Sequence, residues 1–517
     1  MDRRVQRHRW LRAGAGALTA LLGLALAQVV SRLISTKDSP VEAVGTFIIR
    51  HAPGPLAERA IRAVGHADKP LLVTGVVVVV TVVIAALATL RTLVWAMTAM
   101  VVLAAVGLAA IAVQPGPLGA RPLSLAVGLV VWLVVLPHLI VLLPDPDDPP
   151  APDGQVRWDA SSRRSFLVRG GLGVGVTVVA AVASRYVGQG RRRVEQARAA
   201  LRLPGVTQPV VPAGVEQHVA GQPPWLTPAG DFYRIDTALL PPSLDPSGWR
   251  LRIHGMVERE IELTFDDLLA RTLTEDWMTL CCVSNDVGGG LIGNAWWSGV
   301  RIAPLLAEAG VKAGADGVLQ TSSDGWTCLT PVEALTDERN ALLAVAMNGE
   351  PLPIEHGFPV RVIVPGLYGY VSGTKWVVDL KVTTFEADQG YWTPLGWSAQ
   401  GPIKIASRVD VPAQGATLRP AADGRCVLAG TAWHQHTGIS AVQVSVDGGA
   451  WTAATLAADP TIDSWVQWRY AARLAAGSHQ VRVRAVGADG EVQTGVVAAP
   501  APDGASGWHT VSFEVSG

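Results

Sequence analysis

Two adjacent cysteines, Cys281 and Cys282, are the residues of this sequence whose type and position most directly suggest chemistry. They end a strand-like run and precede the glycines at 288–290. A thiolate at the end of a strand suits a metal ligand or a nucleophile, although two buried structural cysteines would give the same pattern. The pair is a poor zinc site because successive strand side chains point to opposite faces, and the sequence has no Cys-x-x-Cys. Cys328 and Cys426 could be core residues or a disulfide.

A second group of polar residues, His356, Arg361 and Lys375, lies near predicted turns. One imidazole and two cations suit a phosphate or another anion. The alternative is a structural histidine, with Glu355 and Asp379 as salt-bridge partners of the cations. The residue types favour an anion site, and these residues alone leave both interpretations open.

Together these segments resemble the sulfite oxidase family of molybdenum enzymes. The resemblance rests on three motifs in family order, Leu280–Val300, Met347–Pro353 and His356–Lys375. It extends from Asp231 to the C-terminus and includes the family's C-terminal β-domain. The preceding part of the chain resembles that of membrane-anchored bacterial relatives.

The resemblance implies a molybdenum–molybdopterin cofactor, with Cys282 as the metal ligand. The family motif is Cys-x-x-Asn, which Cys282 and Asn285 fit, whereas Cys281 is one residue early. The resemblance also implies that Arg234 faces the substrate as a catalytic residue. The residues implied to hold the pterin and its phosphate are Tyr233, Arg234, Asn285, Ser323, His356, Arg361, Thr374 and Lys375.

The sequence departs from the family where sulfite oxidases bind the substrate anion. Those enzymes carry an arginine after Cys-x-x-Asn, where this chain has Asp286–Gly288. A carboxylate in place of a cation weakens the binding of a dianion by electrostatics alone. The family's active-site tyrosine has no clear match, and the nearby candidates are Tyr391, Trp392 and Trp397.

The composition of the 517-residue chain indicates membrane segments. Mean hydropathy is +0.30, with 49% hydrophobic and 16% charged residues, which is apolar and charge-poor for a soluble protein. The net charge of -1 gives no reason to expect nucleic acid as a partner. Five apolar runs are long enough, or nearly so, to span a bilayer: Ala13–Ile34, Pro70–Leu90, Thr92–Val113, Leu123–Leu143 and Ser165–Val187. Residues 1–190 are therefore predicted to be a multi-pass membrane region.

Basic residues around these runs predict the side on which the rest of the chain lies. Those before the first run favour a cytoplasmic N-terminus and, after five crossings, an extracytoplasmic C-terminal part. The basic loop with Lys37, Arg59 and Arg62 argues against this orientation. Ser162–Leu167 is similar to a twin-arginine export signal, a route for proteins that fold around a cofactor before export. An ordinary pair of helix-anchoring arginines is the alternative. We predict a cell-membrane protein whose catalytic domain faces the periplasmic side.

Two soluble domains are predicted after the membrane region. Residues 191–230 are rich in proline, glycine and glutamine and indicate a linker or wrapping arm. Residues 231–406 mix short strands with helices such as Thr264–Leu273, which indicates an α+β domain, identified by the resemblance as molybdopterin-binding. Residues 407–517 contain short strands with a hairpin signal at Asp447–Gly449, which indicates an immunoglobulin-like β-sandwich.

With the resemblance, the sequence predicts a membrane-anchored molybdenum oxidoreductase that transfers an oxygen atom, with two electrons, on a small sulfur-containing substrate. Oxidation of a sulfite-like anion is the family reaction, and reduction of an S-oxide or N-oxide is the alternative that the missing arginine favours. A non-catalytic membrane scaffold with a vestigial cofactor site is a third interpretation.

His138 is the only histidine in an apolar run, so no haem is expected in this chain. Electrons are expected to pass to a separate cytochrome or quinone pool. The family's C-terminal domain suggests a homodimer.

Overall fold

The structure is a computed structural model that describes residues 3–34, 39–52, 68–90, 92–114, 118–143, 160–186 and 189–517. The chain forms two compact units, residues 1–193 with 237–242 and residues 194–236 with 243–517. Some residues used in the sequence analysis lie outside the described residues: Lys37, Arg59, Arg62 and Val187.

The described part of the first unit is helical. Its helices are α1 (Arg3–Leu33), α2 (Pro40–His51), α3 (Asp68–Ala88), α4 (Val94–Ala112), α5 (Arg121–Val141) and α6 (Ala160–Tyr186). All of these except α2 are long and apolar enough to cross a membrane. The Ser162–Leu167 motif lies in the first turns of α6, with Arg163 and Arg164 exposed. Its export role stays a prediction.

Helix α1 packs against α3, α5 and α6. It approaches α5 closely at Gly23, where a Cβ atom would lie 2.2 Å from Trp132 Nε1. The Trp132 indole donates a hydrogen bond to Ala20 O at 3.1 Å. Small residues allow this kind of close packing between apolar helices.

The short helix α2 was not predicted. It begins with a capping box formed by Ser39 and Glu42. Glu42 Oε1 also accepts a hydrogen bond from Arg32 at 2.8 Å. This ion pair ties the end of α1 to the start of α2.

The predicted linker begins with a helix, α7 (Gln189–Ala200), instead of irregular chain. Its Arg, Glu, Gln and Ala residues are good helix formers. Arg198 Nε donates to Leu352 O at 2.7 Å. The rest of the segment, residues 201–230, forms turns and extended chain within the second unit. It is fixed there because the indoles of Trp225 and Trp465 each donate to the other's carbonyl oxygen at 2.9 Å.

Two sheets with short helices form the part of the second unit that precedes residue 406. The strands are β1 (Arg250–Gly255), β2 (Ile261–Thr264), β3 (Leu273–Cys281), β4 (Ile292–Arg301), β5 (Gly317–Ser322), β6 (Thr327–Pro331), β7 (Leu342–Met347), β8 (Glu350–Pro351), β9 (Arg361–Ile363) and β10 (Val377–Thr383). One sheet has the order β2-β1-β10-β5-β6, and the other has β3-β4-β7-β8 with β9 paired to β7. The helices are α8 (Phe265–Leu269), α9 (Ile302–Ala309), α10 (Val332–Thr336) and α11 (Gly369–Ser372).

The core of this region lies against the first sheet. Exposed and buried side chains alternate along β1, and Leu251 and Ile253 are fully buried. They belong to one apolar cluster with Leu305 of α9 and Leu380 of β10. Period-two burial of this kind is expected for a strand with one face on the core.

The predicted helix over Thr264–Leu273 is wrong in its second half. Helix α8 ends at Leu269, and Leu273 already begins β3. Strand β3 pairs with β4 along its length, with Leu273 opposite Val300. Pairing with a distant strand therefore overrides the local helical pattern.

The C-terminal part of the second unit is β-rich. Its strands are β11 (Ala406–Val411), β12 (Thr417–Leu418), β13 (Cys426–Trp433), β14 (Ile439–Val446), β15 (Thr452–Ala453), β16 (Thr455–Leu456), β17 (Val466–Ala472), β18 (Gly477–Gly487) and β19 (His509–Val515). They form two sheets, β11-β13-β17-β16 and β12-β19-β18-β14-β15. Side chains from both sheets, including Leu428, Trp468, Val483 and Phe513, belong to one core cluster. The immunoglobulin-like topology stays a prediction.

Candidate active site

Cys281 ends β3 and Cys282 directly follows it. Cys282 N donates to Leu291 O at 2.9 Å, and Asn285 N donates to Cys282 O at 3.0 Å, so a tight turn follows the strand. The Cys281 side chain is buried, whereas Cys282 is partly exposed. Their thiols therefore differ in access to solvent and ligands.

Cys281 lines a narrow cleft between the turn that follows β3 and the C-terminal sheets, together with Tyr368, Trp433 and Gly507. Burial, and then the neighbouring Cys282, raise the pKa of the Cys281 thiol well above its usual value. Burial, and then Cys281, raise the pKa of the Tyr368 phenol. Both groups are therefore protonated at neutral pH.

Asn285 and Asp286 lie along the same cleft. Asn285 Oδ1 accepts a hydrogen bond from Leu291 N at 2.8 Å, so this side chain shapes the turn after Cys282. Asp286 is exposed. The carboxylate of Asp286 therefore borders the cleft, at a sequence position where the sulfite oxidase family carries an arginine.

His356, Arg361 and Lys375 lie together, close to the chain that precedes β9. Arg361 Nη1 donates to His356 O at 3.2 Å, and Lys375 Nζ donates to Glu355 O at 3.2 Å. Gly357, with φ of 114°, allows this approach, since a Cβ there would lie 2.9 Å from Arg361 Cβ and 3.3 Å from Lys375 Cα. We call His356, Arg361 and Lys375 the cationic pocket.

The counter-charge of the cationic pocket is Asp236, which the sequence analysis missed. Asp236 Oδ2 lies 2.9 Å from Lys375 Nζ and 3.0 Å from Arg234 Nε. The proposed alternative partner Asp379 instead pairs with His254 at 3.0 Å. Asp236 lies 139 residues from Lys375 along the chain, and no motif linked the two.

Burial lowers the pKa values of all three groups in the cationic pocket: His356 to about 4, Arg361 to about 10 and Lys375 to about 8. The charges of Arg361 and Lys375 lower the pKa of His356 further. His356 is therefore neutral at pH 7. A carbonyl oxygen can only accept, so His356 Nε2 donates to Ala229 O at 3.1 Å and Nδ1 carries no proton.

Tyr233 is within electrostatic reach of Arg361 and of both cysteines. Burial, and then the two cysteine thiols, raise the pKa of its phenol well above its usual value, while Arg361 acts in the opposite sense. Phe232 stacks on Tyr233 with ring centroids 5.3 Å apart. It also packs edge-on against His356 at 5.7 Å.

Cys282 belongs to the same site as the cationic pocket. Burial raises the pKa of the Cys282 thiol, whereas hydrogen bonds from Ser284 and the charge of Lys375 lower it. The structure therefore brings the cysteine of the first motif and the lysine of the third motif within electrostatic reach of each other.

Ser323 and Thr374, two further predicted cofactor contacts, flank Lys375. Ser323 N donates to Trp376 O at 2.9 Å. Thr374 is fully buried, and its hydroxyl lies 3.2 Å from Cys328 Sγ, so it faces the core. Cys328 is free, as are the other three cysteines of the chain. The disulfide alternative is therefore wrong.

The aromatic candidates for a family tyrosine lie in or beside the apolar cluster that contains Cys281. Tyr391 packs edge-on against Trp392, which contacts Trp397 at 6.3 Å. Trp397 in turn contacts Tyr370 at 5.9 Å. The sequence analysis did not consider Tyr368, although it lies between the Arg361 and Lys375 motif positions and shares the cleft with Cys281.

The cationic pocket fits a phosphate-bearing cofactor such as molybdopterin. Arg361 is buried, and its Nε has no hydrogen-bond partner among the residues that the structure describes. Arg234 and Lys375 share the carboxylate of Asp236, and the charges of Arg361 and Arg234 both act on Lys375. An anionic group would satisfy the guanidinium and offset the repulsion between these cations.

Known proteins are similar to the part of the chain that contains this site. The family model for the oxidoreductase molybdopterin binding domain matches residues 238–392. The chain is 34% identical over 179 residues to the uncharacterized oxidoreductase YuiH of Bacillus subtilis, covering 35% of this chain and 87% of YuiH. It is 29% identical over 286 residues to the mitochondrial sulfite oxidase of Mus musculus, covering 47% of this chain and 52% of that relative. The crystal structure of the sulfane dehydrogenase SoxCD from Paracoccus pantotrophus is similar at 25% identity and a TM-score of 0.48, covering 57% of this chain and 81% of that chain.

These matches support an oxidoreductase and not the non-catalytic scaffold that the sequence left open. The chain spans about half the length of the mouse sulfite oxidase that it matches. It spans most of YuiH, and the matched family region contains Cys282 and the cationic pocket. The chain belongs to the sulfite oxidase family of molybdopterin-binding oxidoreductases.

Proposed function

We propose that this protein is a membrane-anchored molybdenum oxidoreductase that transfers an oxygen atom on a small sulfur-containing substrate outside the cytoplasm. The observation that carries the proposal is the convergence of Cys282, Tyr233 and the cationic pocket on one buried, positively charged site. The cofactor, when bound, supplies the two-electron chemistry, and the chain supplies binding, orientation and electrostatics.

Cys282 is the proposed metal ligand. Cys282 directly follows β3 and is a partly exposed residue. Burial raises the pKa of its thiol, whereas hydrogen bonds from Ser284 and the charge of Lys375 oppose this shift. Cys281 is buried toward the cleft, where burial keeps its thiol protonated. Asn285 serves the site by fixing the turn after Cys282, through its hydrogen bond from Leu291 N.

The cationic pocket is the proposed site for the phosphate and the pterin. Arg361 offers a buried Nε–H that has no partner among the described residues, and Lys375 offers a charge held by Asp236. His356 offers a neutral Nδ1 acceptor in a ring whose orientation Ala229 O fixes. The remaining proposed cofactor contacts are Tyr233, Arg234, Ser323 and Thr374. Since the Thr374 hydroxyl faces Cys328, we assign Thr374 a backbone role.

We infer the substrate class and the direction of transfer from the charge of the residues that follow Cys282. Oxidation of sulfite takes an oxygen atom from water and releases two electrons and two protons, and reduction of an S-oxide or N-oxide consumes them and releases water. Asp286 is exposed beside the cleft. The nearby Arg408 is neutralised by Asp410 at 2.6 Å and donates to Gly289 O at 2.9 Å. A carboxylate at the position where sulfite oxidases carry a cation disfavours a dianion, so S-oxide or N-oxide reduction is our second candidate.

Turnover of the purified protein tests both reactions. Sulfite with an electron acceptor is compared with a dialkyl sulfoxide or an amine N-oxide and a reduced dye, in wild type and in Cys282→Ser. The proposal requires turnover of at least one substrate class by wild type and none by Cys282→Ser. Efficient sulfite turnover would contradict the inference drawn from Asp286.

The helices α1, α3, α4, α5 and α6 are proposed as a membrane anchor that holds the catalytic part on the periplasmic side. Their length and apolar composition support this placement, and Arg163 and Arg164 are the proposed export signal. Electrons would pass to a separate cytochrome or quinone pool, and the C-terminal sheets would support a homodimer. Protease digestion of intact spheroplasts tests the orientation, because only an external catalytic part would be cleaved.

A further inference from the structure

Three metal-ligating side chains lie together in the C-terminal sheets, apart from the residues assigned to molybdenum. His434 directly follows β13, and Asp489 and Glu491 follow β18. One ligand atom of each lies within 4.8 Å of the other two. The turns that carry them are joined by a hydrogen bond from Ala488 N to Gly438 O at 3.0 Å.

His434 has an unsatisfied nitrogen. Its side chain is only 11% exposed, and its Nδ1 has no hydrogen-bond partner in the part of the chain that the structure describes. Nε2 lies 3.9 Å from Glu491 Oε2, beyond hydrogen-bond distance. A buried polar atom without a partner is costly, and a bound ligand would remove this cost.

Gly487 leaves space between His434 and Asp489. A Cβ at this position would lie 2.4 Å from Asp489 Oδ1 and 2.8 Å from His434 Nδ1. These two atoms therefore border the same small space. The turn orients the carboxylate as well, because Asp489 Oδ1 accepts from Glu491 N at 3.0 Å and Gly487 N donates to Glu491 O at 2.8 Å.

We propose that His434, Asp489 and Glu491 bind a first-row divalent transition metal ion, with Zn²⁺ the ion that this donor set suits best. Zn²⁺ takes imidazole nitrogen and carboxylate oxygen at about 2.0–2.2 Å. An imidazole ligand disfavours Ca²⁺ and Mg²⁺, which prefer oxygen. The ion would join the turn after β13 to the turn after β18.

The proposed metal site lies close to the contact between the C-terminal sheets and β3. Gln435, the residue after His434, donates to Thr279 O of β3 at 3.5 Å. Thr279 N in turn donates to Asp463 O at 2.9 Å. Zn²⁺ binding should therefore stabilise the C-terminal sheets and their contact with β3.

Zn²⁺ titration of the full chain, purified in detergent without a polyhistidine tag, tests the proposal. Isothermal calorimetry at pH 7.5 keeps the imidazole available as a ligand. Wild type should bind one Zn²⁺ per chain, with a higher melting temperature when Zn²⁺ is present. His434→Gln should bind at least about tenfold more weakly, and Glu491→Gln, an exposed substitution that does not threaten folding, should also weaken binding.

His479→Gln is the matched control, since His479 pairs with Asp447 at 2.7 Å elsewhere in the C-terminal sheets. It should bind Zn²⁺ as wild type does. The absence of saturable binding by wild type, or equal affinity in wild type, His434→Gln and Glu491→Gln, would overturn the proposal. Molybdenum content should be the same in all variants, so the outcome is independent of the proposed function.

Discussion

Lys375 Nζ lies 2.9 Å from Asp236 Oδ2 in an ion pair whose side chains are only 11% and 5% exposed. Burial lowers the pKa of Lys375 to about 8, and Asp236 opposes this shift. The carboxylate therefore keeps the lysine charged at neutral pH. It also holds Arg234 at 3.0 Å, so one acidic residue organises two proposed cofactor contacts.

Replacing Asp236 should destabilise the protein more than its small size suggests. Asp236→Asn leaves Lys375 buried without a counter-charge, and breaking a buried pair in this way costs about 3 kcal/mol. Denaturant unfolding of the cofactor-free protein measures this loss. The Asp236→Asn/Lys375→Met double variant should recover part of it.

Asp379→Asn is the control for this prediction. It breaks the more exposed pair with His254, whose side chains are 19% and 27% exposed, and exposed pairs contribute little. Equal losses from Asp236→Asn and Asp379→Asn would contradict a special role for the buried pair.

The neutral state of His356 should make the cofactor-free protein sensitive to acid. Its pKa is about 4 instead of 6.5 because burial disfavours the imidazolium. The contribution to stability is therefore complete above pH 6.5 and is lost as the pH falls toward 4, to a total of about 3 kcal/mol. Melting temperatures between pH 7 and pH 4.5 should fall more steeply in wild type than in His356→Gln. Parallel curves would show that His356 does not titrate in this way.

The glycines after Cys282 should differ sharply in their tolerance of alanine. At Gly288, with φ of 77°, a Cβ would lie 2.2 Å from the His509 ring. His509 Nδ1 accepts from Val409 N at 3.0 Å, so its displacement would loosen the turn from the C-terminal sheets. At Gly290 a Cβ would meet nothing within 4 Å.

Gly288→Ala should therefore lose most of its bound molybdenum and melt at a lower temperature, and the positive φ alone costs about 1 kcal/mol. Gly290→Ala should behave as wild type. Metal content and melting temperature measure both variants. Similar behaviour of the two would mean that the packing of Gly288 on His509 is unimportant.

Reversing the charge of Asp286 should change substrate preference. Asp286→Arg places a cation beside the cleft, and a favourable change of about 1.4 kcal/mol for a dianion raises kcat/KM about tenfold. Turnover of sulfite should rise and turnover of an uncharged sulfoxide should not. High salt should reduce the gain because it screens the charges. Glu333→Arg, an exposed reversal on α10, is the control, and an equal gain there would contradict a local effect.

The sequence predicted those parts of the structure that depend on local patterns. Apolar length predicted the long helices α1, α3, α4, α5 and α6. Short strands were predicted for residues 407–517, where the structure has β11 to β19. The predicted hairpin turn at Asp447–Gly449 joins β14 to β15. The resemblance to the sulfite oxidase family selected Cys282, His356, Arg361 and Lys375 as site residues. Such features can be predicted because they depend on residues that are close together in the sequence.

Contacts between residues that are far apart in the sequence could not be predicted from local patterns. Asp236 reaches Lys375 across 139 residues, and Tyr368 shares a cleft with Gly507 from the C-terminal sheets. The short strands β15 and β16 are separated by one residue, yet they belong to different sheets. In each case the partner comes from tertiary packing and leaves no local signal.

Molybdenum per chain is the measurement that tests the central claim most directly. Elemental analysis and pterin fluorescence are compared in wild type, Cys282→Ser and Cys281→Ser. We predict about one molybdenum and one pterin per chain in wild type and in Cys281→Ser, with the metal lost or loosened only in Cys282→Ser. Metal and pterin absent from all three proteins, or loss caused by Cys281→Ser and not by Cys282→Ser, would contradict the assignment of Cys282 as the ligand.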